Sequence, residues 1–341
     1  MRRMRNNGPS LQMRKLQGGE LLFPARATLD REELALRVYK GDMFTPPNPF
    51  RTNAGRFWRI PAAQPYLRSR LALVEALLKQ PSREAVEAAM FHSLSMLDLA
   101  RLDRIGVRRL MPAIYLRLGR DQEAYDFIKW WYFAMQDCRN DFEPTTPYLT
   151  MKGEDIFEPI VFHLAEREVV IPDLSHMVAL TLIKIRVLLD LRCLEDVIGD
   201  ANPQNYWPTL QSCLTTCGRQ FQASNITANH PKFEQLVVHG LADSIENLED
   251  QVSTLYSMLV KENEHFWCRL LSPIDSQGRD WLELDPAEIQ CEGCGEKAEV
   301  LQMNYKSWAE TPGALAVIAE LALGDSKSCT ARAKAIDDAS Q

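Results

Sequence analysis

The chain has 341 residues, of which 46% are hydrophobic and 25% charged, and its formal net charge is −7. This balance is typical of a folded globular protein and argues against a disordered chain. The acidic excess disfavours nucleic-acid binding, and no stretch approaches the roughly 20 apolar residues of a membrane span, so we expect neither nucleic acid nor membrane as a partner.

The N terminus and the cysteines indicate the compartment. The first fifteen residues carry five basic side chains and no acidic one, but no apolar segment follows them as it would in a secretory signal. Eight cysteines in a chain of this length are too few for a disulfide framework and indicate reduced thiols. We therefore expect a cytoplasmic or nuclear protein that is not secreted.

The N-terminal part is expected to be mostly irregular. Residues 1–30 are predicted to form a basic, disordered arm, either with a targeting or polyanion-binding role or without a role. A short helix is predicted at 31–40, where Asp30 can cap the start and Gly41 can end it. The rest of the region 31–66 is predicted to be a loop, because it carries five prolines.

Helical periodicity dominates residues 67–324, which we predict to form one helical domain, followed by a polar tail at 325–341. Strand signals are limited to a short β-branched run at 169–171, so the predicted fold class is all-α. The expected helices cover 67–79, a segment that begins at Ser82 and ends before Gly106, 107–118, 121–134, 155–165, 173–198, 208–222, 232–262, 296–309 and 312–323.

The strongest periodic signal lies at 238–259. Its apolar residues follow alternating spacings of three and four, which make a heptad seam: Val238, Leu241, Ile245, Leu248, Val252, Leu255 and Leu259. Such a seam packs either inside the molecule or against a second copy. We favour packing within the chain, and a homodimer through the seam is the alternative.

One segment resembles a helical repeat unit. In residues 112–131, Gly119 suits a tight turn between two antiparallel helices and Ala124 suits their close approach, as in a tetratricopeptide unit. Neighbouring helices must stack on such a unit to cover its apolar face. Because no second segment repeats the pattern at a fixed period, we predict an irregular tetratricopeptide-like helical array.

Three motifs carry a resemblance to a known family. They are MPAIYLRLGRDQEAYDFIKWW at 111–131, the segment Asp155-Ile156-Phe157-Glu158 and NYKSWAETPGAL at 304–315. Over about residues 65–320 the chain resembles a group of fungal proteins labelled MYND-type zinc-finger proteins, most of them without known activity. A MYND finger needs about eight cysteine and histidine ligands, which this chain lacks, so the resemblance implies the helical body alone.

Two pairs of residues are candidates for a binding site. Trp130 and Trp131 begin a run of four aromatic residues, which cannot all point to one side of a helix. They line either a groove for a peptide or ligand, or a core with contacts on two sides. Arg117 and Arg120 flank the Gly119 turn and either bind a carboxylate or phosphate group or pair with nearby acids.

Cysteine spacing leaves one weak metal candidate. Cys291 and Cys294 form a C-x2-C pair, which could supply half of a zinc site completed by Cys268 or His265. A redox pair and ordinary loop cysteines are the alternatives. We predict no metal and no cofactor.

No motif indicates a particular reaction. The chain has no H-E-x-x-H, G-x-S-x-G, Walker or G-x-G-x-x-G sequence. We therefore predict a non-catalytic helical interaction or scaffold protein with a protein partner. The first alternative is an accessory protein or unusual enzyme of a fungal pathway, such as one of secondary metabolism, that binds a small molecule in a deep pocket. The second is a zinc-dependent regulator.

Overall fold

A computed structural model describes residues 11–136, 142–160, 173–199, 241–274, 280–283 and 294–324. These residues form helices and loops without a β-strand, and two isolated bridges pair Arg56 with Ala100 and Ile274 with Asp280. The prediction of an all-α fold is confirmed. The helices are α1 (Leu11–Arg37), α2 (Pro49–Thr52), α3 (Gln64–Leu78), α4 (Arg83–Leu99), α5 (Met111–Arg117), α6 (Asp121–Gln136), α7 (Leu174–Gly199), α8 (Leu241–Glu262), α9 (Phe266–Leu271), α10 (Cys294–Ala309) and α11 (314–324).

The chain divides into two compact units, neither of which is continuous in sequence. Unit 1 consists of Met1–Ile114 and Asp137–Thr150, and unit 2 of Tyr115–Gln136 and Met151–Gln341. The predicted helical region 67–324 contributes to both units. No helix among the described residues is long and apolar enough to cross a membrane.

Helix α1 of unit 1 is longer than the sequence suggested. It begins at Leu11 rather than at 31, so the prediction of an irregular arm is wrong for residues 11–30. The segment contains five leucines, which favour helices, and the helix continues through Pro24 despite the hydrogen bond that a proline removes. Packing of α1 on α3 supports it, with Leu29 and Leu36 buried.

Helices α3 and α4 of unit 1 match their predicted positions. The Ser82 hydroxyl accepts a hydrogen bond from the N–H of Ala85 at 3.2 Å, which confirms the expected N-cap of α4. A cluster of three edge-on rings, Phe50, Phe57 and Tyr66, anchors the proline-rich loop beside α3. Loop 41–66 is therefore ordered, and it contains α2 and two 3-10 turns.

Residues 142–150 are fixed to the rest of unit 1 by arginines. The Glu143 carboxylate pairs with Arg56 and, at 2.6 Å, with Arg59. Arg101 donates to the backbone oxygens of Glu143 at 3.0 Å and Thr146 at 2.9 Å. These contacts explain why a segment distant in sequence belongs to unit 1.

In unit 2, α7 is buried on nearly all sides, which agrees with its almost continuous apolar sequence. It packs against α6, α8 and α10. Its observed bounds, Leu174–Gly199, confirm the helix predicted at 173–198. Because most of α7 is covered, a charged residue that is buried on it, such as Lys184 or Arg186, needs a partner inside the unit.

The heptad seam lies on α8 and packs against α7 of the same chain. Its residues from Ile245 to Leu259 are buried, so packing within the molecule is the observed arrangement. These covered side chains are not available to a second copy, and a homodimer through the rest of the seam stays a prediction. Val238 and the predicted helix at 208–222 lie outside the described residues.

The turn between α5 and α6 is as predicted, with Gly119 at a φ of +70°. The tetratricopeptide-like stacking of further helices on this pair stays a prediction. Residues 155–160 form a turn instead of the predicted helix, because the Asp155 carboxylate accepts the N–H of Phe157 at 2.9 Å. The remainder of that predicted helix lies outside the described residues.

Candidate functional site

One strongly perturbed ionisable group of unit 2 is Lys184, on the buried helix α7. Its side chain is almost wholly inaccessible, and its ammonium group donates to the backbone oxygens of Ile156 and, at 3.1 Å, of Glu158. It lies 5.6 Å from the centre of the Tyr125 ring, which adds a cation–π contact. Burial lowers the pKa of Lys184 to about 7, although the carboxylates of Glu158 and Asp155 oppose this shift.

Lys129 and Glu154 complete this lysine network together with Tyr125 and Glu158. The Tyr125 hydroxyl donates to the Glu158 carboxylate, and burial together with this bond raises the pKa of Tyr125. Lys129 contacts Glu154 at 2.6 Å and Glu158 at 2.7 Å. Burial alone would lower the pKa of Lys129, but its hydrogen bonds to the two carboxylates raise it.

Perturbed pKa values often mark active sites, but they also occur in structural ion networks. Neither of the two cavities described below is lined by residues of the lysine network. The network instead fixes residues 154–158 to α6 and α7. We therefore interpret it as structural. Sequence reasoning missed it, although a lysine inside the apolar run of α7 is itself a signal of a buried, paired charge.

A second buried network begins at Arg186, two residues further along α7. Its guanidinium donates to the Asp121 carboxylate at 2.7 Å and to the Leu116 backbone oxygen at 3.0 Å. It also donates twice to the Thr311 hydroxyl, at 2.7 and 3.0 Å. This arginine, rather than either predicted one, holds the α5–α6 turn against α7.

The predicted arginines have partners within the chain. Arg117 pairs with Glu310 at 3.2 Å, and Arg120 pairs with Glu123 at 2.9 Å. The guanidinium of Arg120 also lies 5.4 Å from the centre of the Tyr115 ring. The structural alternative, pairing with acids, therefore describes both residues, although the partner of Arg117 is distant in sequence.

The predicted tryptophans belong to the core of unit 2. Trp130 is 6% exposed and Trp131 is 1% exposed, so neither ring lines an open groove. Their ring centroids are 5.2 Å apart, and Phe127 lies 6.2 Å from Trp131. The groove interpretation is corrected to the core alternative. The expected surface ring of the aromatic run is Phe133, which is 43% exposed.

The zinc hypothesis depends on Cys291 and Cys294. Cys291 lies outside the described residues, and Cys294 is the first residue of α10. Among the residues that are described, no group of three or more histidine, cysteine or acidic side chains could hold a metal ion. The zinc hypothesis stays a prediction.

Two cavities bear on small-molecule binding. A void of about 10 Å³ in unit 1, beside Trp58 and Met96, has room for no more than a water molecule. An open cleft of about 500 Å³ in unit 2 lies between Met177 of α7 and one face of α8. Among its described lining residues, the ionisable ones are Lys261 and Glu262, which are exposed. These two side chains do not form the enclosed, convergent group that marks an active site.

Two of the most exposed apolar side chains among the described residues lie on a turn of unit 1 that the sequence analysis treated as plain loop, and a third, Phe23, lies on α1. Met43 is 89% exposed and Phe44 is 73% exposed. Leu34 near the end of α1 and Val38, the first residue after it, are also largely exposed, and the Val38 N–H donates to the Leu34 oxygen at 3.1 Å. We call residues 39–48 the Met43–Phe44 turn.

Hydrogen bonds centred on Asp42 fix the backbone of this turn. One carboxylate oxygen accepts the N–H groups of Phe44 at 2.8 Å and Thr45 at 2.6 Å, and the other accepts the Tyr39 hydroxyl at 2.6 Å. These bonds, that of Tyr39 first, lower the pKa of Asp42. The Asp42 N–H donates back to the Thr45 oxygen at 2.8 Å. Thr45 is buried and anchors one end of the tip, whereas Met43 and Phe44 project into solvent.

Two further features close the turn. The N–H of Asn48 lies 3.4 Å from the Tyr39 oxygen. Gly41 has a φ of +91°, and a side chain there would come within 3.0 Å of the Pro47 ring, so this position requires glycine. These contacts fix the backbone of the turn, and Met43 and Phe44 extend from it into solvent.

Comparison with known proteins adds no assignment. The chain matches no family model, no curated protein and no solved structure. The resemblance to the fungal MYND-labelled family therefore stays a prediction, and the functional argument rests on the geometry above.

Proposed function

We propose that the protein is a non-catalytic helical interaction protein that binds a protein partner through the Met43–Phe44 turn. The observation that carries the proposal is the exposure of Met43 and Phe44 on a hydrogen-bonded turn. Large apolar side chains on a surface mark interaction sites when they are grouped. Burying each of them in a complex would contribute roughly 1.5–3 kcal/mol.

Rigidity of the turn supports this function. A flexible loop that orders on binding loses part of its interaction energy to conformational entropy. Here Asp42 already makes three hydrogen bonds that hold the tip. A partner can therefore bury the two side chains without ordering the backbone.

The test is quantitative affinity purification of the tagged full-length chain from the cells that produce it. Wild type is compared with the double variant Met43→Ser, Phe44→Ser. The matched control is Phe91→Ser, which removes an apolar side chain that is 64% exposed on α4 of the same unit. Circular dichroism and urea unfolding establish that all three proteins are folded.

We expect to find partner proteins that the Phe91→Ser control still recovers. The double variant should recover the same partners at least about tenfold less, which is the effect expected when a binding hot spot is lost. A set of specific partners that survives the double substitution would contradict the proposal. So would a loss that is equal for the double variant and the control.

A second candidate function is an accessory protein or unusual enzyme that binds a small molecule. The cleft between α7 and α8 favours it, because its volume lies in the range of ligand sites. Replacing Ser257, which lines the cleft and is exposed, by Trp would fill it. A metabolite that raises the melting temperature of wild type but not of Ser257→Trp would support this candidate.

The proposal also includes a location in the cell, a helical arrangement and a family. We infer a cytoplasmic or nuclear location, supported by the sparse cysteines and testable with a fluorescent fusion. The tetratricopeptide-like arrangement and the fungal MYND-labelled family are supported by residues 111–131.

A further inference from the structure

We propose that the partner of the Met43–Phe44 turn is an acidic protein segment that carries apolar side chains. This inference rests on the proposed function and adds the chemical class of the partner. Its basis is the charge beside the turn. Lys40 precedes the tip and Arg51 follows it on α2, and both side chains are exposed.

Neither cation is neutralised within the described part of the chain. Lys40 and Arg51 form no ion pair or hydrogen bond with a side chain there. The other basic residues of the α1 end differ: Arg31 pairs with Glu32 at 3.0 Å and Arg37 with Glu33 at 2.7 Å. The turn is thus flanked by two unmatched positive charges.

The acids of this region are already engaged. Glu32 and Glu33 belong to the pairs just described, and the Asp42 carboxylate accepts three hydrogen bonds within the turn. Because its three donors are neutral, Asp42 keeps its negative charge, but among the described residues it forms no ion pair with Lys40 or Arg51, and the charges of these three residues sum to +1. A partner that buries Met43 and Phe44 therefore meets an apolar tip with a positive border, which acidic side chains complement.

The same charges disfavour a second copy of this chain as the occupant. In a twofold-symmetric contact the same surface faces itself. Lys40 and Arg51 of one copy would then approach those of the other, and like charges across an interface are unfavourable. An acidic segment from a different protein satisfies both the apolar and the charged groups.

The first experiment selects a phage-displayed library of random peptides on the full-length wild-type chain, with counter-selection on the folded Met43→Ser, Phe44→Ser variant. We expect enriched peptides to combine leucine, isoleucine or aromatic residues with a net negative charge. Enrichment of neutral or basic peptides would overturn the inference. So would the absence of enrichment over the counter-selection.

The second experiment measures binding of one enriched peptide, labelled with fluorescein, by fluorescence anisotropy. Charge reversal with Lys40→Glu and Arg51→Glu should weaken binding at least about tenfold at low salt, and added salt should weaken wild-type binding. The matched control is reversal of Arg83, an exposed arginine of unit 1 on α4, which should leave binding unchanged. Unchanged affinity in the Lys40→Glu, Arg51→Glu variant would overturn the inference.

Other occupants are direct outcomes of two parallel assays. Binding to phosphatidylserine-containing vesicles that is lost in the Met43→Ser, Phe44→Ser variant would assign the turn to an anionic membrane surface and overturn the inference. A concentration-dependent dimer lost in that variant would assign it to a second copy. If cellular partners depend on Met43 and Phe44 but not on Lys40 and Arg51, the proposed function stands and only the acidic partner fails.

Discussion

The guanidinium of Arg186 lies 2.7 Å from the carboxylate of Asp121, and both side chains are buried. This pair joins the middle of α7 to the first residue of α6. Each buried charge depends on the other, because an unpaired charge in the interior is costly. This buried ion pair therefore contributes to holding the α5–α6 turn in place within unit 2.

Replacing Arg186 by Met should destabilise the protein strongly. The substitution leaves the Asp121 carboxylate and the Leu116 oxygen without their donor. Breaking a buried pair on one side costs about 3–5 kcal/mol. Urea unfolding followed by circular dichroism measures the change.

The control is Arg192→Met on the same helix. Arg192 pairs with Glu249 at 2.7 Å, but both side chains are substantially exposed. An exposed pair contributes at most about 1 kcal/mol, so this variant should remain close to wild type. Equal losses of stability in the two variants would show that the Arg186 pair is not decisive.

Lys184 should make the stability of the protein depend on pH. Burial lowers its pKa to about 7 from an ordinary 10.5. Between these values the unfolded chain binds more protons than the folded chain, so the free energy of unfolding rises with pH. We expect Lys184→Met to remove a gain of roughly 2 kcal/mol between pH 7 and 9.

Urea unfolding at a series of pH values measures this slope. Lys261→Met removes an exposed lysine and should retain the wild-type slope. Parallel curves for wild type and Lys184→Met would contradict the account of the lysine network.

His92 should lower the stability of the protein as the pH falls into the acidic range. Burial, with Arg70 and Arg26 nearby, lowers its pKa to about 4 from 6.5. As the pH falls from 6.5 towards 4, the unfolded chain takes up a proton that the folded chain does not, so stability is lost. His92→Asn keeps an acceptor for Arg70, which donates to His92 at 3.2 Å, but does not titrate.

Between pH 6.5 and 4, the free energy of unfolding of His92→Asn should fall by roughly 1–2 kcal/mol less than that of wild type. Thermal unfolding at several pH values measures the difference, with His265→Asn, at an exposed position, as the control. If His92→Asn lost as much stability as wild type between pH 6.5 and 4, the pH dependence would not come from His92.

Trp131 should matter for stability rather than for binding. It is 1% exposed, so Trp131→Ala leaves a large cavity and should cost roughly 3–5 kcal/mol. Phe133→Ala, two residues on and 43% exposed, is the control and should cost much less. If urea unfolding gave the two variants the same stability, the core position of Trp131 would be wrong.

Much of the helical fold could be predicted from sequence because burial repeats with the helical period. Helix α7, the seam of α8 and the Ser82 cap follow from spacing and local hydrogen bonding. The start of α1 could not be predicted, because packing of residues such as Leu29 outweighs Pro24. The turn at 155–160 depends partly on Lys184, which is distant in sequence.

The candidate site was much less predictable, because a residue's type does not show its exposure. Trp131 and Phe44 are both large and apolar, yet one is buried and the other is held in solvent. What distinguishes Phe44 is the Asp42 hydrogen-bonding pattern around it. An aspartate two residues before an apolar residue in a proline-rich loop is the local signal of such a turn.

The most direct test of the central claim is photo-crosslinking at position 44. Benzoylphenylalanine replaces Phe44 in the full-length chain in cells, and a second protein carries it at Phe91, which is similarly exposed in the same unit. We predict a discrete protein adduct from position 44 and none from position 91. Adducts of equal yield at both positions, or at position 91 alone, would contradict the claim that the Met43–Phe44 turn binds a partner.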